Sequence, residues 1–330
     1  MYHRLPDRRR GCGAAMTVQI ILPADRAAWL DARRQDVTAS VAGALLGIHP
    51  YQTPYGLWAE KSGRVASDDA DNPVLRRGRL LEPVVIEMLR EDRPDWTVEY
   101  RRDNAYYRHV EDRIGATPDA FAIRPDIYGR GIVQVKTVAD DKFRREWIDA
   151  DTGEVVLPLW IAVQAIVEAT LTEATWACVA VMVIGRGIDL QIVDVPLNSR
   201  VMNRLRREVR EFWRMVEAGE EPSIDWNRDG ASVAEVYRDS MPDRKDLTSV
   251  AGLDEISGRF VDAREAHNVS GKAIEILRPR ILHALGAAEA GFTTNWNITA
   301  RTSVRVGPNG QPVKSRSLRI TPKENPDARF

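Results

Sequence analysis

Residues 114–138 read IGATPDAFAIRPDIYGRGIVQVKTV. Two short β-rich runs, 119–124 and 132–138, flank a segment punctuated by Pro125, Gly129 and Gly131. This pattern predicts an antiparallel hairpin that turns near 125–131. In the second run Gln134 and Lys136 are two apart and share a face, while Ile132, Val133 and Val135 supply apolar contacts. Pairing across the hairpin brings Asp119 beside Gln134 and Lys136, so an acid, a second oxygen ligand and an ammonium gather at one site. Such a set suits phosphodiester cleavage. Carboxylate oxygens hold Mg²⁺, the metal activates water and neutralises charge on the phosphate, and a lysine orients or deprotonates the water. Taken alone, the spacing fits a solvated hairpin equally well.

Outward from the hairpin, runs 97–101 and 104–108 precede it as strands. A helix at 158–173, strands at 176–184 and 188–195 joined by Gly185-Arg186-Gly187, and an amphipathic helix at 198–218 follow it. The N-terminal part reads as helices: 24–35, Thr38 to Leu46, one opened by Thr53-Pro54 and ending near Gly63, and a long one after Asn72-Pro73. Leu75, Leu81, Val85, Met88 and Leu89 mark the buried stripe of the long helix, and Pro83 within it predicts a bend beside Glu82. The expected fold is α/β, a mixed central sheet flanked by helices, with a C-terminal α+β appendage. Residues 1–22 read as a basic tail and leader, 23–228 as the main domain and 229–330 as the appendage. In the appendage, 231–290 is helical with breaks at Pro242 and Pro279, and 292–320 forms strands around a Gly-Pro-Asn-Gly turn at 307–310.

Composition narrows the classes. The 330 residues suffice for two units, and 47 basic against 48 acidic residues give a net charge of −1, so any preference for nucleic acid must be local. Two distant cysteines, Cys12 and Cys178, exclude a disulfide framework and a four-thiolate cluster. The five histidines lack zinc-ligand spacing, and no Gly-x-Ser-x-Gly, P-loop or Gly-x-Gly-x-x-Gly motif occurs. No apolar run nears the ~20 residues of a membrane span and no signal peptide opens the chain. A cytoplasmic setting without a membrane partner is expected.

Five motifs then occur in order: RRQDVTASVAGALLGIHPYQTPYGLWAEKSG (33–63), GRLLEP (78–83), GATPDAF (115–121), IVQVKT (132–137) and VQAIVEATL (163–171). Together they resemble the YqaJ-type viral recombinase domain, a lambda-exonuclease-like branch of the PD-(D/E)XK nucleases with a restriction-endonuclease-like fold. The resemblance covers about 24–215. It implies a two-metal, Mg²⁺-dependent nuclease, with Mn²⁺ as substitute, that resects one strand of double-stranded DNA ends from 5′ to 3′ for recombination. It further implies a single-strand annealing recombinase as partner and a homo-oligomeric ring.

Carried over motif by motif, the resemblance makes Glu82 and Asp119 metal ligands, with Val135 lending a backbone carbonyl. Lys136 becomes the catalytic lysine and Gln164 a glutamine near the site, and Arg33 and Ser40 would bind a terminal 5′ phosphate. Residue 134 departs from the family's usual Glu-x-Lys. Gln134 can coordinate Mg²⁺ through its amide oxygen but brings no charge, and Glu168, one helical turn beyond Gln164, is the candidate auxiliary acid. The alternatives are a structure-specific or endonucleolytic enzyme of the same fold and an impaired DNA-end-binding scaffold. In the appendage, residues 295–323 carry six cations and no acid: Arg301, Arg305, Lys314, Arg316, Arg319 and Lys323, with Trp296 nearby. Such a ribbon can track DNA phosphates or protect a sheet edge.

Overall fold

The computed structural model describes residues 17–66, 73–101, 103–239, 242, 244, 246–306 and 311–323. The chain divides into two compact units, 1–240 and 241–330. Most of the expected basic tail and the Gly-Pro-Asn-Gly turn lie outside the described residues.

The first unit is built on a five-stranded sheet of order β3(Thr97–Tyr100), β6(Ala120–Arg124), β7(Ile127–Ala139), β8(Trp176–Ile184), β9(Ile188–Asp194). All neighbours are antiparallel except β7 and β8, which run parallel. Parallel neighbours need a long crossover, and α5(Asp140–Glu146) and α6(Leu159–Leu171) supply it. Residue alternation on β7 and β8 feeds two cores. Ile132, Val179 and Val181 belong to the larger one with Ile161, Ala165 and Val167 of α6, while Val133, Val135, Cys178 and Ala180 meet Val85, Ile86 and Leu89 of α4(Pro73–Asp92). The sheet is therefore covered by helices on both faces.

A smaller sheet of order β1(Val18–Ile21), β4(Tyr106–His109), β5(Ile114–Ala116), β2(Val37–Thr38) supports the N-terminal helices. Gly115 is required here, because a Cβ would lie 1.9 Å from the Tyr106 hydroxyl. That hydroxyl donates to Asp36 Oδ2 at 2.9 Å, and Arg108 Nε donates to Oδ1 at 3.0 Å, so a fully buried carboxylate anchors the chain just before β2. α1(Arg26–Arg34), α2(Ala42–Leu45), α3(Pro54–Lys61), α7(Ser199–Ala218) and α8(Gly230–Val236) complete the unit.

Several expectations are corrected. Residues 18–21 are a strand paired with 106–109, not part of a tail. The expected helix from Thr38 to Leu46 is a two-residue strand followed by the four residues of α2, because Val37 N–H and Ala39 N–H donate to the carbonyls of Arg113 and Gly115 at 2.9 and 2.8 Å. The hairpin turns at Pro125-Asp126, tighter than expected, with a register shift between Ala122 and Arg124. α4 runs through Pro83 as one helix of 20 residues. The unit boundary falls after Ser240 rather than after 228, since Asp229 is buried, accepts from the Thr53 hydroxyl, and accepts from the Asp225 N–H at 2.8 Å.

The second unit comprises α9(Leu253–Leu285) and the sheet β10(Ala290–Phe292), β11(Trp296–Val306), β12(Pro312–Pro322). α9 continues through Pro279, where a break was expected. Register pairs Arg301 with Ser317, Arg305 with Val313 and Thr299 with Arg319, so Arg301, Arg305 and Arg319 share one face of the ribbon. Lys314 and Arg316 sit on the other. Arg316 donates to the carbonyls of Ala300 at 2.9 Å and Gly286 at 2.6 Å, and also to that of Ala288, which ties the ribbon to the end of α9.

Candidate active site

The antiparallel pairing of β6 and β7 sets Ala120 opposite Val133, and so brings Asp119 to Gln134 as the sequence implied. Val135 N–H donates to Asp119 Oδ2 at 2.7 Å, and the Gln134 amide nitrogen donates to the same oxygen. Gln134, Lys136 and the inner face of α6 then form one chain of hydrogen bonds. Lys136 Nζ donates to Gln164 Oε1 at 2.9 Å, while Gln164 Nε2 donates to Gln134 Oε1 at 3.0 Å and to Glu168 Oε1 at 2.9 Å. The i to i+4 spacing of Gln164 and Glu168 puts both on the helix face that meets β7.

Two further carboxyls, Glu82 and Glu168, lie within electrostatic reach of Asp119. Glu82 is pushed up to about 7, first by burial and next by the charge of Asp119, against a Tyr100 hydrogen bond and the Lys136 ammonium. Asp119 is raised by burial, opposed by Lys136, the Val135 amide and Gln134. Glu168, 1% exposed, rises to about 8 by burial and by the Asp119 charge. Its Oε2 is buried and has no hydrogen-bond partner among the described residues. Carboxyls held this far from their ordinary range are what a hard cation would satisfy. The oxygen donors of Glu82, Asp119 and Val135, with Gln134 beside them, fit Mg²⁺ in chemistry. Among the described residues no three His, Cys, Asp or Glu side chains stand close enough to hold a metal together. Glu168 reaches the rest of the constellation through its hydrogen bond from Gln164.

Gln134 presents its amide nitrogen to Asp119 and its oxygen to Gln164. As a ligand it would have to turn its amide over, giving up the bond from Gln164 Nε2, which keeps Glu168.

Arg33 and Ser40 meet directly. Arg33 Nη2 donates to Ser40 Oγ at 3.2 Å, Ser40 Oγ lies 3.0 Å from Thr38 Oγ1, and the guanidinium stacks 4.2 Å above Trp29. Ser40 is no helix cap, since α2 has no side-chain cap bond. Trp29 Nε1 donates to Thr117 Oγ1 at 3.1 Å, which connects this pair to the strand leading into Asp119. Lys61 Nζ donates to the Arg33 carbonyl at 3.2 Å. Arg33 also lowers the pKa of Glu168, as Lys136 does, so Glu168 lies within electrostatic reach of both.

Motif reading missed Trp29, Thr117, Lys61 and the aromatic residues of the 47–53 loop. Their partners are remote in sequence, and no local pattern marks them.

A model of the YqaJ-like viral recombinase domain matches residues 28–174, the segment that holds every residue of this constellation. This segment is similar to that domain. The uncharacterized protein YqaJ of Bacillus subtilis (strain 168) is 27% identical over 276 residues, covering 81% of each chain. An alkaline exonuclease from Laribacter hongkongensis is similar in structure, with 18% identity, a TM-score of 0.44, and coverage of 58% of this chain and 92% of that one. The matched segment runs from within α1 through α6 and takes in β2 to β7, while β8, β9 and α7 complete the sheet and core from beyond the match. Among the described residues no helix is long and apolar enough to cross a membrane.

Proposed function

We propose that the chain is a Mg²⁺-dependent exonuclease that digests one strand of duplex DNA from its 5′ end, exposing a 3′ strand for recombination. The observation that carries this reading is the convergence of the Glu82 and Asp119 carboxyls with the Lys136–Gln164–Gln134 chain within a segment similar to the YqaJ-like domain. Bound there, two Mg²⁺ ions, with Mn²⁺ as substitute, would supply Lewis-acid polarisation of the scissile phosphate and a more acidic water. Asp119 and Glu82 hold the negative charge that the cations need, and the Val135 amide fixes the Asp119 carboxylate. Lys136, steadied by Gln164, orients the attacking water and offers its ammonium to the charge that develops on the phosphate. Arg33, preset by Trp29 and Ser40, holds the terminal 5′ phosphate. Arg301, Arg305 and Arg319 offer a cationic face to the duplex backbone. A single-strand annealing recombinase receives the exposed strand, and ring assembly of the chain would enclose the duplex.

Digestion of a linear duplex and of a covalently closed circle, each with Mg²⁺ or EDTA, tests this reading. Loss of the linear molecule alone, and only with Mg²⁺, is expected; cutting of the circle would indicate an endonuclease. Wild type should prefer a 5′-phosphorylated end to a 5′-hydroxyl end, and Arg33→Ala should reduce that preference about tenfold, since a guanidinium–phosphate pair contributes on the order of 1.5–3 kcal/mol. Equal rates on both ends by wild type would contradict the assignment.

The bond from Gln134 to Asp119 favours one second reading, a DNA-end-binding scaffold with an impaired site. Metal titration of wild type, Gln134→Glu, Glu168→Gln and the double variant separates the two. If Gln134 is a working ligand, Gln134→Glu should need roughly tenfold less Mg²⁺ for half-maximal rate, because the added charge strengthens the hard cation's attraction. Glu168→Gln should then harm wild type more than the Gln134→Glu variant. Identical Mg²⁺ requirements would show that residue 134 is not a ligand.

A further inference from the structure

Beside the catalytic lysine lies an aromatic cluster that the proposed chemistry leaves unused. The His49 ring packs edge-on 5.0 Å from Trp160, and Tyr51 packs edge-on 6.2 Å from Trp160 and 6.0 Å from His49. Lys136 Nζ stands 5.8 Å from the centre of the Trp160 ring. On the outer side, Lys142 donates to the Tyr51 hydroxyl and lies 4.8 Å from its ring. Tyr51 is nonetheless 66% exposed.

The loop that presents it is tied down. Arg228 Nη2 donates to the His49 carbonyl at 2.7 Å and to that of Gln52 at 3.3 Å, and Tyr51 N–H donates to His49 Nδ1 at 3.2 Å. A large aromatic held in place and open to solvent, with Lys142 near its own ring and Lys136 near the Trp160 ring it packs against, is suited to stack on a flat, anionic ligand.

Position says which part of that ligand it meets. Trp160 precedes Gln164 by one turn of α6, so the cluster flanks Lys136, where the scissile phosphate would sit. On its other side His49 is hydrogen-bonded to the backbone of Ser40, the partner of Arg33. A nucleotide with its 5′ phosphate at Arg33 and Ser40 and its 3′ phosphate at Lys136 would lie along this edge. Its base, released from pairing, would meet the rings.

We infer that Tyr51 and Trp160 form a stacking platform for the base of the 5′-terminal nucleotide, with Lys142 holding the rim, an inference that rests on the end-specific nuclease reading above. Stacking accepts any base, so the platform would help open the terminal pair without selecting sequence.

The test uses the full chain and a 5′-phosphorylated duplex whose terminal nucleotide carries 2-aminopurine. In EDTA, wild type and Tyr51→Phe should quench this base strongly on binding, and Tyr51→Ala should lose most of the quench. With Mg²⁺, wild type should digest an end bearing a normal terminal base about tenfold or more faster, in kcat/KM, than an end bearing an abasic one. That ratio should fall close to one in Tyr51→Ala and be kept in Tyr51→Phe. Absence of quenching by wild type, or a quench and ratio unchanged in Tyr51→Ala, would overturn the platform. Failure of wild type to digest any substrate would overturn the nuclease reading instead, and the quench in EDTA would then decide the platform alone.

Discussion

Asp119→Ala is expected to abolish Mg²⁺-dependent digestion, by about three orders of magnitude or more, while the protein stays folded. Loss of a ligand removes several kcal/mol of transition-state stabilisation, and each ~1.4 kcal/mol is tenfold in rate. Folding should survive because of the sign of the shift at this carboxyl. Burial raises its pKa in the folded protein, so from the ordinary carboxylate range upward ionisation of Asp119 increasingly disfavours the metal-free fold, until the pH passes its raised folded-state pKa and the cost levels off. Removing the carboxyl removes that cost at pH 8 and forfeits the hydrogen bonds from Val135 and Gln134, two opposed effects. Thermal unfolding shows the distinction: Mg²⁺ should raise the Tm of wild type and leave that of Asp119→Ala unchanged. Wild-type rates in the variant would remove Asp119 from the site.

Lys136→Ala should lower the rate by about a hundredfold or more, the scale for loss of a donor positioned on developing charge. Its metal response should differ from that of Asp119→Ala. Lys136 is a cation whose charge opposes a bound metal, so the variant should keep the Mg²⁺-induced rise in Tm or enlarge it. Gln164 Oε1 loses its donor in this variant, and the Gln164 contacts to Gln134 and Glu168 remain. A variant that loses both cleavage and metal response would show that Lys136 shapes the site rather than acting on water.

The hairpin from Asp119 to Lys136 was readable because two β-rich runs flank a segment punctuated by Pro125, Gly129 and Gly131, although the turn itself is tighter than that punctuation implies. The helices at 159–171 and 199–218 were readable from their apolar stripes and end signals, whereas α5 went unread and, among the described residues, the helical stretch expected over 231–290 is helical only at Gly230–Val236 and Leu253–Leu285. What escaped was set by contacts remote in sequence. Two residues, Val37 and Thr38, cannot announce a strand; only the carbonyls of Arg113 and Gly115 make them one. Pro279 does not break α9, so proline alone was a poor guide to where that helix ends.

Within the site, residue types were legible and orientations were not. Gln134 was expected to offer oxygen to a metal, yet its amide direction is decided by Gln164 and Asp119, which lie on other elements. Glu168 was legible as a neighbour of Gln164 from helical spacing, and its depth was not. Arg316 counted as one cation among six in the ribbon, although three backbone carbonyls engage its guanidinium. The Tyr51 and Trp160 rings come from segments more than a hundred residues apart, and neither segment carries a pattern that names the other.

The central claim is that this constellation removes nucleotides from the 5′ end of duplex DNA with the aid of a divalent cation. A blunt linear duplex with one label at the 5′ end and a different label at the 3′ end of the same strand tests it most directly. With Mg²⁺, the 5′ label should be released first, as mononucleotide, while the 3′ label stays on a shortening strand, and EDTA should stop both. Release of the 3′ label first, digestion that persists in EDTA, or an intact duplex in Mg²⁺ would contradict the account.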